Sequence, residues 1–467
     1  MSIILVIILA FLALSLILPI IFHFRYPELR WNWNSIDTDT INFPDGFIWG
    51  TATAAHQVEG NCNNNWSEFE KKTQKDGKPN IKDGQVSGNA CEHWQRYIED
   101  IELIKRIGVT HYRFSIEWSK IEPTIGHYDI DAIDHYSNVI NHLLQNSITP
   151  VVTLHHFSHP IWFEEKGGFS KSENIDYFLR FSKKVFSLYS DRVKNWCTIN
   201  EPGVFSVQGY FTGMFPPGYK KPQLTVEVLK NLLEAHVQVY HALKNQKNGE
   251  ESKIGIVKNI NQFEPWRRSS IRDWLFSLSL NHVFNSSTLI FFKTGKFKIR
   301  LPGLMWKTYY NERAKDSLDF FGLNYYSHNH LKFSLFKKDF SVLKFHKKDV
   351  MTDMPYTIYA EGIYRAIKFV SSLKVPIIIT ENGVADASDK IRETYIKKYI
   401  YAVSKAISEG ANVVGYYYWS LMDNFEWAFG YDMKFGLYEV DFNNQERKLR
   451  DGSKAFVEIV KKNEKQI

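Results

Sequence analysis

The sequence predicts an α/β protein, a single (β/α)8 barrel preceded by one N-terminal transmembrane helix. Two observations support this prediction. Short runs rich in β-branched and aromatic residues alternate eight times with longer segments of helical spacing, and twenty uncharged apolar residues, Ile3–Phe22, precede them. Strands that alternate with helices pair in parallel, and eight such units are typical of a closed barrel.

Eight predicted strands carry this alternation. They are Gly46–Thr51, Thr110–Ser115, Thr149–His155, Trp196–Ile199, Lys253–Val257, Phe320–Leu323, Pro376–Ile379 and Val413–Tyr418. The intervals between them can hold crossover helices, and in Ala90–Ile107 large apolar side chains recur at helical spacing before Gly108. An open doubly wound sheet is the alternative fold. It would favour a glycine-rich turn after an early strand, and residues 51–55 contain no glycine.

The composition is that of a globular protein. Of the 467 residues, 44% are hydrophobic and 23% are charged, which excludes a disordered or fibrous chain. Three cysteines are too few for a disulfide framework. The net charge of +7, from 58 basic and 51 acidic residues, is mild over this length, so we expect no nucleic-acid partner. No pattern indicates the oligomeric state.

The apolar N-terminal run is long enough to span the hydrocarbon core of a bilayer. A cleavable signal peptide has a shorter apolar stretch after a basic start, whereas here two residues without a basic side chain come first. A buried core helix is the alternative for such a run. We expect a retained anchor over residues 1–22, a juxtamembrane linker over residues 23–42, and the barrel domain over residues 43–467.

The sidedness of the predicted anchor rests on few charges. Arg25 and Arg30 follow the apolar run, and the positive-inside rule then places the barrel domain in the cytosol. The tripeptides that begin at Asn65 and Asn285 match the N-glycosylation pattern and favour the opposite side. We expect a single-pass membrane protein with a cytosolic rather than a lumenal or extracellular barrel.

Polar residues follow seven of the eight predicted strands, and active sites of (β/α)8 barrels lie at the C-terminal strand ends. Two carboxylates among them are Glu201, between Asn200 and Pro202 after the fourth strand, and Glu381, after the seventh. Across a small barrel they would face each other. A carboxylate pair about 5 Å apart is typical of a retaining glycosidase, in which one acts as nucleophile and the other donates a proton. A solvated strand-end acid is the alternative for each alone.

Other strand-end residues suit this chemistry. Arg113 and Tyr326 could keep a nucleophilic carboxylate ionised. A sugar offers an apolar face, on which Trp419 and Trp427 could stack, and core packing is the alternative for both rings. A sugar also offers a rim of hydroxyls, for which the chain has Gln57, His156, Asn200 and Glu426.

These residues belong to longer motifs. The motifs are, in order, Phe43–Gly60, Tyr112–Ser115, Asn200–Pro202, Asn324–Tyr326, Ile379–Gly383, Tyr418–Trp427, Gly430–Tyr431 and Phe435–Leu437. Each is weak alone, but together and in this order they are specific. With them the chain resembles glycoside hydrolase family 1, the β-glucosidase family, from about Phe43 to Phe456.

The resemblance implies a role for each matching residue. Glu201 is implied as the acid/base and Glu381 as the nucleophile, which Arg113 and Tyr326 would hold. Asn324 is implied as a residue close to the catalytic pair. The implied sugar-binding residues are Gln57, His156, Asn200, Trp419, Glu426 and Trp427. The resemblance implies that neither a metal nor an organic cofactor is needed.

Some positions depart from the family pattern. Phe429 stands where glucosidases often carry an acidic residue near the sugar 6-hydroxyl, so the glycone stays open. We expect a retaining β-glycosidase that acts on terminal β-D-glucosides, galactosides or fucosides, with lipid glycosides favoured by the anchor. The alternatives are a membrane-anchored transglycosylase acting between glycolipids and a non-catalytic carbohydrate-binding homologue. The presence of both Glu201 and Glu381 argues against the second alternative.

Overall fold

The computed structural model describes residues 3–301, 303–334 and 341–464. The strands in these ranges are β1 Ile48–Ala52, β2 His111–Ser115, β3 Thr149–His155, β4 Asn195–Asn200, β5 Lys253–Asn259, β6 Gln262–Pro265, β7 Lys296–Leu301, β8 Met305–Tyr310, β9 Phe320–Asn324, β10 His328–Phe333, β11 Ser341–Lys344, β12 Ile377–Asn382, β13 Val413–Trp419, β14 Tyr438–Asp441 and β15 Glu446–Leu449.

The α-helices alternate with these strands. They are α1 Ile3–Arg25, α2 Ala55–Val58, α3 Asn65–Glu70, α4 His93–Arg106, α5 Trp118–Ile121, α6 Ile130–Gln145, α7 Ile161–Glu165, α8 Ile175–Tyr189, α9 Pro202–Val207, α10 Pro222–Lys244, α11 Ile271–Asn281, α12 Ser287–Thr294, α13 Glu361–Val370, α14 Arg392–Ser408 and α15 Lys454–Glu464.

Eight strands close into a barrel, which confirms the predicted fold class. They are neighbours in the order β1, β2, β3, β4, β5, β9, β12 and β13, and β13 pairs back onto β1. All eight pairings are parallel. Because the strands are parallel, their C-terminal ends meet at one end of the barrel.

The predicted element ends shift by a few residues. The fourth, fifth and seventh strands run further than predicted, so β5 ends at Asn259 and β12 includes Glu381. The helix predicted from Ala90 begins at His93 instead. The reason is local, since Ala90 and Glu92 have φ angles of 48° and 52°, which an α-helix does not accept.

The barrel interior is a packed core rather than a pore. One buried side chain from each of six strands fills it, namely Val151, Cys197, Val257, Phe320, Ile378 and Tyr417. This layer closes the barrel beneath the strand ends. The polar side chains at the C-terminal ends therefore lie on a layer of packed, buried side chains.

A small sheet lies on the C-terminal side of the barrel. In it β10 pairs in parallel with β6 and antiparallel with β11. Strand β6 follows β5 within three residues, and β10 follows β9 within four, so both continue from the end of the barrel where the strand termini meet.

The apolar N-terminal run forms helix α1, which extends to Arg25, three residues beyond the predicted span. It is the one helix among the described residues that is long and apolar enough to cross a membrane. Only 6% of its most apolar window is buried, which argues against a core helix. Its end contacts α11, where the rings of Phe22 and Trp274 lie 5.7 Å apart.

The linker, residues 23–42, packs on the barrel domain. The backbone N–H of Trp31 and the indole N–H of Trp33 both donate to Glu361 Oε1, at 2.8 and 3.0 Å. The Tyr359 hydroxyl donates to the carbonyl of Leu29 at 2.8 Å. The linker is therefore held against the start of α13.

Candidate active site

The C-terminal strand ends surround one cavity of about 190 Å³. Most of the residues singled out in the sequence line it, namely His156, Asn200, Glu201, Tyr326, Glu381, Trp419, Glu426 and Trp427. The other three, Gln57, Arg113 and Asn324, stand behind this wall and hydrogen bond to lining residues. The structure thus brings all of the predicted site residues together.

Glu381, near the end of β12, is held by a cation and a hydroxyl. Arg113 on β2 places Nη1 2.6 Å from Glu381 Oε1. The Tyr326 hydroxyl donates to Oε2 at 2.8 Å. Burial and the charge of Glu381 keep the pKa of Tyr326 well above its usual value, so this hydroxyl stays a donor. Both oxygens of Glu381 are therefore fixed.

Glu201 follows β4 and has a different environment. Asn324 Nδ2 donates to Glu201 Oε1 at 2.7 Å, and the oxygen of that amide accepts from Thr380 at 2.7 Å. Burial, and then repulsion from Glu381, raises the pKa of Glu201 to about 7. Glu201 can therefore hold a proton near neutral pH while Glu381 is paired with a guanidinium.

Asn200 connects Arg113 to His156. Arg113 Nη2 donates to Asn200 Oδ1 at 2.7 Å, which turns the Asn200 amide nitrogen toward His156 Nε2 at 3.0 Å. The Nε2 atom must then accept, and Nδ1 carries the proton. Burial, and then the Arg113 charge, lowers the pKa of His156 well below its usual value, so the ring is neutral. Its Nδ1 has no partner among the described residues.

Gln57 and Glu426 form a second polar corner. Gln57 Nε2 donates to Glu426 Oε2 at 3.0 Å and to the carbonyl of Phe425 at 2.9 Å. Burial raises the pKa of Glu426 to about 8, although the Gln57 bond opposes this shift. Gln57 Oε1 is buried without a partner in the described part of the chain. This corner therefore has polar atoms available for a bound molecule.

Two tryptophans line the cavity beside these polar groups. Both Trp419 and Trp427 are buried, and both flank His156, with ring centroids 5.7 and 5.8 Å away. The His56 ring stacks on Trp427, with ring centroids 5.8 Å apart and an angle of 12° between the ring planes. Both tryptophans thus pack in the buried core and also line the cavity.

Sequence reasoning missed Asn259, which also lines the cavity and hydrogen bonds to Glu201. It ends β5, the one barrel strand for which no polar terminal residue was predicted. The predicted strand stopped at Val257, and extending it by two residues would have found Asn259. Tyr356 and Met354 were missed as well, because they reach the cavity from a loop without a recognisable motif.

The fold and this site define a glycoside hydrolase. Two carboxyl groups share one cavity at the strand ends of a (β/α)8 barrel, one bound to an arginine and one with a pKa near 7. Such a pair supplies the nucleophile and the proton donor of glycoside cleavage. A family model described as Glycosyl hydrolase family 1 matches residues 39–465, and the chain belongs to that family.

Known proteins resemble the chain over nearly their whole length. Beta-glucosidase A of Thermotoga maritima is 36% identical over 450 residues, 90% of this chain and 98% of that protein. The structure of the beta-glycosidase from Pyrococcus horikoshii has a TM-score of 0.81 at 36% identity, covering 91% of this chain and 96% of its own. That of the Thermotoga maritima beta-glucosidase in complex with deoxynojirimycin has a TM-score of 0.80 at 32% identity, covering 91% and 99%. The chain is a β-glucosidase-like O-glycosyl hydrolase.

Proposed function

We propose that the protein is a retaining β-glycosidase in which Glu381 is the nucleophile and Glu201 the acid/base. The observation that carries the assignment is the contrast between the two carboxyl groups. Glu381 is bound by Arg113, whereas the pKa of Glu201 is raised to about 7. A nucleophile must be ionised and a general acid must be protonated, which fits this order and not the reverse.

The reaction proceeds in two displacements. A Glu381 oxygen attacks the anomeric carbon, the bond from that carbon to the aglycone oxygen breaks, and Glu201 gives its proton to this oxygen. Glu201 then takes a proton from water, the water oxygen bonds to the anomeric carbon, and Glu381 leaves. Once Glu381 is an uncharged ester it no longer repels a charge on Glu201, so the pKa of Glu201 falls as it changes from acid to base.

The glycone occupies the polar corner. A sugar's hydroxyls would bond to the buried atoms that lack partners within the described structure, Gln57 Oε1 and His156 Nδ1, and to Asn200 and Glu426. Trp419 and Trp427 would pack against the ring. The names of the similar proteins favour glucose, and we propose β-D-glucosides as the main substrates, with β-galactosides and β-fucosides as others. Phe429 lines this cavity and offers no carboxylate to the sugar.

We propose that α1 anchors the enzyme in a membrane and that lipid glycosides are among its substrates. A helix of 23 residues is about 34 Å long, enough for a bilayer core. Asn261 and Asn329 line the cavity, and Asn329 Nδ2 donates to Asn261 Oδ1 at 3.0 Å. Asn329 belongs to β10, which pairs with β6. Arg268 follows β6 and donates a hydrogen bond to His23 near the end of α1. The anchor thus ends beside the small sheet that contributes Asn329 to the cavity wall.

The more exposed part of the cavity wall combines apolar side chains with polar ones such as Gln208, Asn261 and Asn329. Val204, Met214, Met354 and Phe429 line the cavity and are half-buried or exposed, so they lie nearer its mouth than the buried carboxylates do. An aglycone leaves the anomeric carbon toward solvent. These apolar side chains could pack against an apolar aglycone such as an acyl chain.

We propose a cytosolic barrel domain. The two asparagines of the glycosylation tripeptides, Asn65 and Asn285, are each 3% exposed. Asn65 Nδ2 donates to the carbonyl of Phe157, and Asn285 Nδ2 to that of Asn261. A folded chain cannot present these amides to a glycan, so neither tripeptide supports a lumenal domain. Protease added to sealed membranes should digest the barrel, and full protection would contradict this orientation.

The enzyme assignment is tested with an aryl β-glucoside. Full-length protein in detergent should release the phenol, and Glu381→Gln should not. The control is Glu439→Gln, which alters an exposed carboxylate on β14. If wild type and Glu381→Gln were equally inert over several β-glycosides, the proposed function would be wrong.

The substrate class is tested with a β-glucosyl lipid in vesicles that also contain the full-length enzyme. Free glucose indicates transfer to water, and a lipid with two sugars indicates the alternative, transfer to a second glycolipid. We expect kcat/KM for the lipid to exceed that for a short alkyl β-glucoside. A preference for the soluble glucoside would exclude lipid glycosides as the main substrates.

A further inference from the structure

We propose that Glu28, His328 and His330 bind one Zn²⁺ ion, which joins the linker to the small sheet beside the barrel. One possible ligand atom from each of the three residues lies within 4.8 Å of the others. Glu28 comes from the linker, and both histidines come from β10. The cavity with Glu201 and Glu381 is lined by other residues, so this is a separate site.

The strand geometry puts both imidazoles on one side of β10. Residues i and i+2 of a strand face the same way, and the His328 and His330 rings have centroids 4.6 Å apart. Both are buried, with 1% and 4% exposure. Glu28 reaches them from the linker, and its Oε1 lies 3.4 Å from His330 Nε2.

The imidazole nitrogens are the second observation that points to a ligand. Neither nitrogen of His328 has a hydrogen-bond partner among the described residues, and His330 Nε2 also lacks one in hydrogen-bond geometry. Buried polar atoms nearly always have a partner, because leaving them unpaired is costly. An imidazole nitrogen that carries no proton offers a lone pair to a metal.

Ion pairing alone explains only part of the cluster. Arg30 Nη2 lies 2.6 Å from Glu28 Oε1, and His330 Nε2 lies 3.4 Å from the same oxygen. These contacts satisfy Glu28. They leave His328 with two unpaired nitrogens inside the protein. One cation could bind one nitrogen of each imidazole together with the carboxylate, which leaves a single His328 nitrogen without a partner among the described residues.

The donor set selects the metal. Two imidazoles and one carboxylate with an open fourth position are a common Zn²⁺ environment, whereas Mg²⁺ prefers oxygen ligands in an octahedron. Tetrahedral ligands about 2.0–2.1 Å from zinc are roughly 3.3 Å apart. The 4.8 Å limit therefore requires some closing of the cluster. The Glu28 side chain is 17% exposed and can rotate to provide it.

Zinc bound here would fix the linker relative to the active-site end. His328 comes two residues after Tyr326, whose hydroxyl contacts Glu381. The His328 ring also stacks on Tyr359, 3.8 Å away, and Tyr359 binds the linker carbonyl of Leu29. The ion would add a direct link between Glu28 of the linker and β10.

The test measures Zn²⁺ binding to the full-length protein in detergent. After treatment with a chelator and dialysis, Zn²⁺ is titrated in competition with a chromophoric chelator. We expect one ion per chain, with Mg²⁺ unable to replace it, and d–d absorption of a four-coordinate ion when Co²⁺ is used instead. Glu28→Gln and His328→Phe should each weaken Zn²⁺ binding at least about tenfold, because each removes a direct ligand.

The variants are chosen to keep the fold. Phenylalanine at position 328 keeps the stack on Tyr359, and Gln at position 28 keeps the shape of the half-buried Glu28. His127→Phe is the control, since it removes an exposed histidine elsewhere. Zn²⁺ should also slow protease cleavage of residues 23–42 in wild type but not in Glu28→Gln. Less than one ion per chain, or equal affinity in wild type and both site variants, would overturn the proposal.

Discussion

The two carboxyl groups of the site lie in one cavity but in unlike surroundings. Both carboxylate oxygens of Glu381 accept hydrogen bonds, one from the guanidinium of Arg113 and one from the hydroxyl of Tyr326. Glu201 is bound by the amides of Asn324 and Asn259, which carry no charge. The two glutamates are suited to different roles because their neighbouring groups differ, although the residue type is the same.

The largest expected effect comes from removing the carboxylate of Glu381. Glu381→Ala should lower kcat on an aryl β-glucoside at least about 10⁴-fold, because no covalent intermediate can form. Azide should restore turnover by entering the vacated space and attacking the anomeric carbon from that side. The product should then be the α-glycosyl azide, detected by NMR. A β-glycosyl azide from this variant would mean that the two roles are exchanged.

Glu201→Ala should have a smaller effect that depends on the leaving group. General acid catalysis contributes about 10²–10⁴-fold, and a good leaving group needs little of it. An alkyl β-glucoside should therefore lose more rate than a dinitrophenyl β-glucoside. Azide should here attack the glycosyl-enzyme and yield the β-glycosyl azide. Equal losses for both substrates would contradict the assignment of Glu201 as the acid.

Much of the difference between Glu201 and Glu381 could be predicted from the sequence, because both residues and several of their neighbours lie at strand ends. Glu201 and Glu381 each follow an apolar run after one polar residue, and parallel strands bring such positions together. Asn259 was missed because Lys258 interrupts the apolar run of the fifth strand, so the predicted strand ended two residues early. Helix α4 starts later than predicted because Ala90 and Glu92 have positive φ angles, which the spacing of apolar residues does not reveal.

The linker could not be predicted in the same way. Residues 23–42 have no periodicity, and their contacts depend on Glu361, Tyr359 and β10, which come much later in the chain. The zinc cluster combines Glu28 with His328 and His330, and a histidine pair two residues apart has no meaning until the carboxylate is placed beside it. The local sequence pattern predicted the residues at the strand ends, whereas the contacts of the linker with residues far away in the sequence require a three-dimensional structure.

Tyr326→Phe tests whether the hydrogen bond from Tyr326 supports Glu381. It removes one hydrogen bond to the nucleophile and leaves Arg113 in place. Loss of one such donor costs about 10²–10³-fold in kcat. The control is Tyr364→Phe, whose hydroxyl binds Glu409 on the outer surface. If Tyr326→Phe lost less than the control, Tyr326 would not support the nucleophile.

The pH profile examines the Glu201 side. The acid must be protonated for the first step, so kcat/KM should fall as pH rises through about 7, the pKa of Glu201. Glu426 has a pKa of about 8 and could cause a similar fall. Glu426→Gln keeps an uncharged group there at every pH, so the fall near pH 7 should persist in this variant. Its loss would assign the fall to Glu426.

The smallest effect comes from Lys258, a fully buried lysine on β5. Its ammonium contacts the Phe284 ring 4.0 Å away, and burial lowers its pKa to about 7 while Glu201 opposes that shift. A positive charge here lowers the pKa of Glu201. Lys258→Met keeps the apolar stem and removes the charge, so the alkaline fall in kcat/KM should move to higher pH with little change at the optimum. A fall that stays in place or moves to lower pH would show that the charge of Lys258 does not act on Glu201, whose proton affinity would then be set by burial, Glu381 and the amides of Asn324 and Asn259.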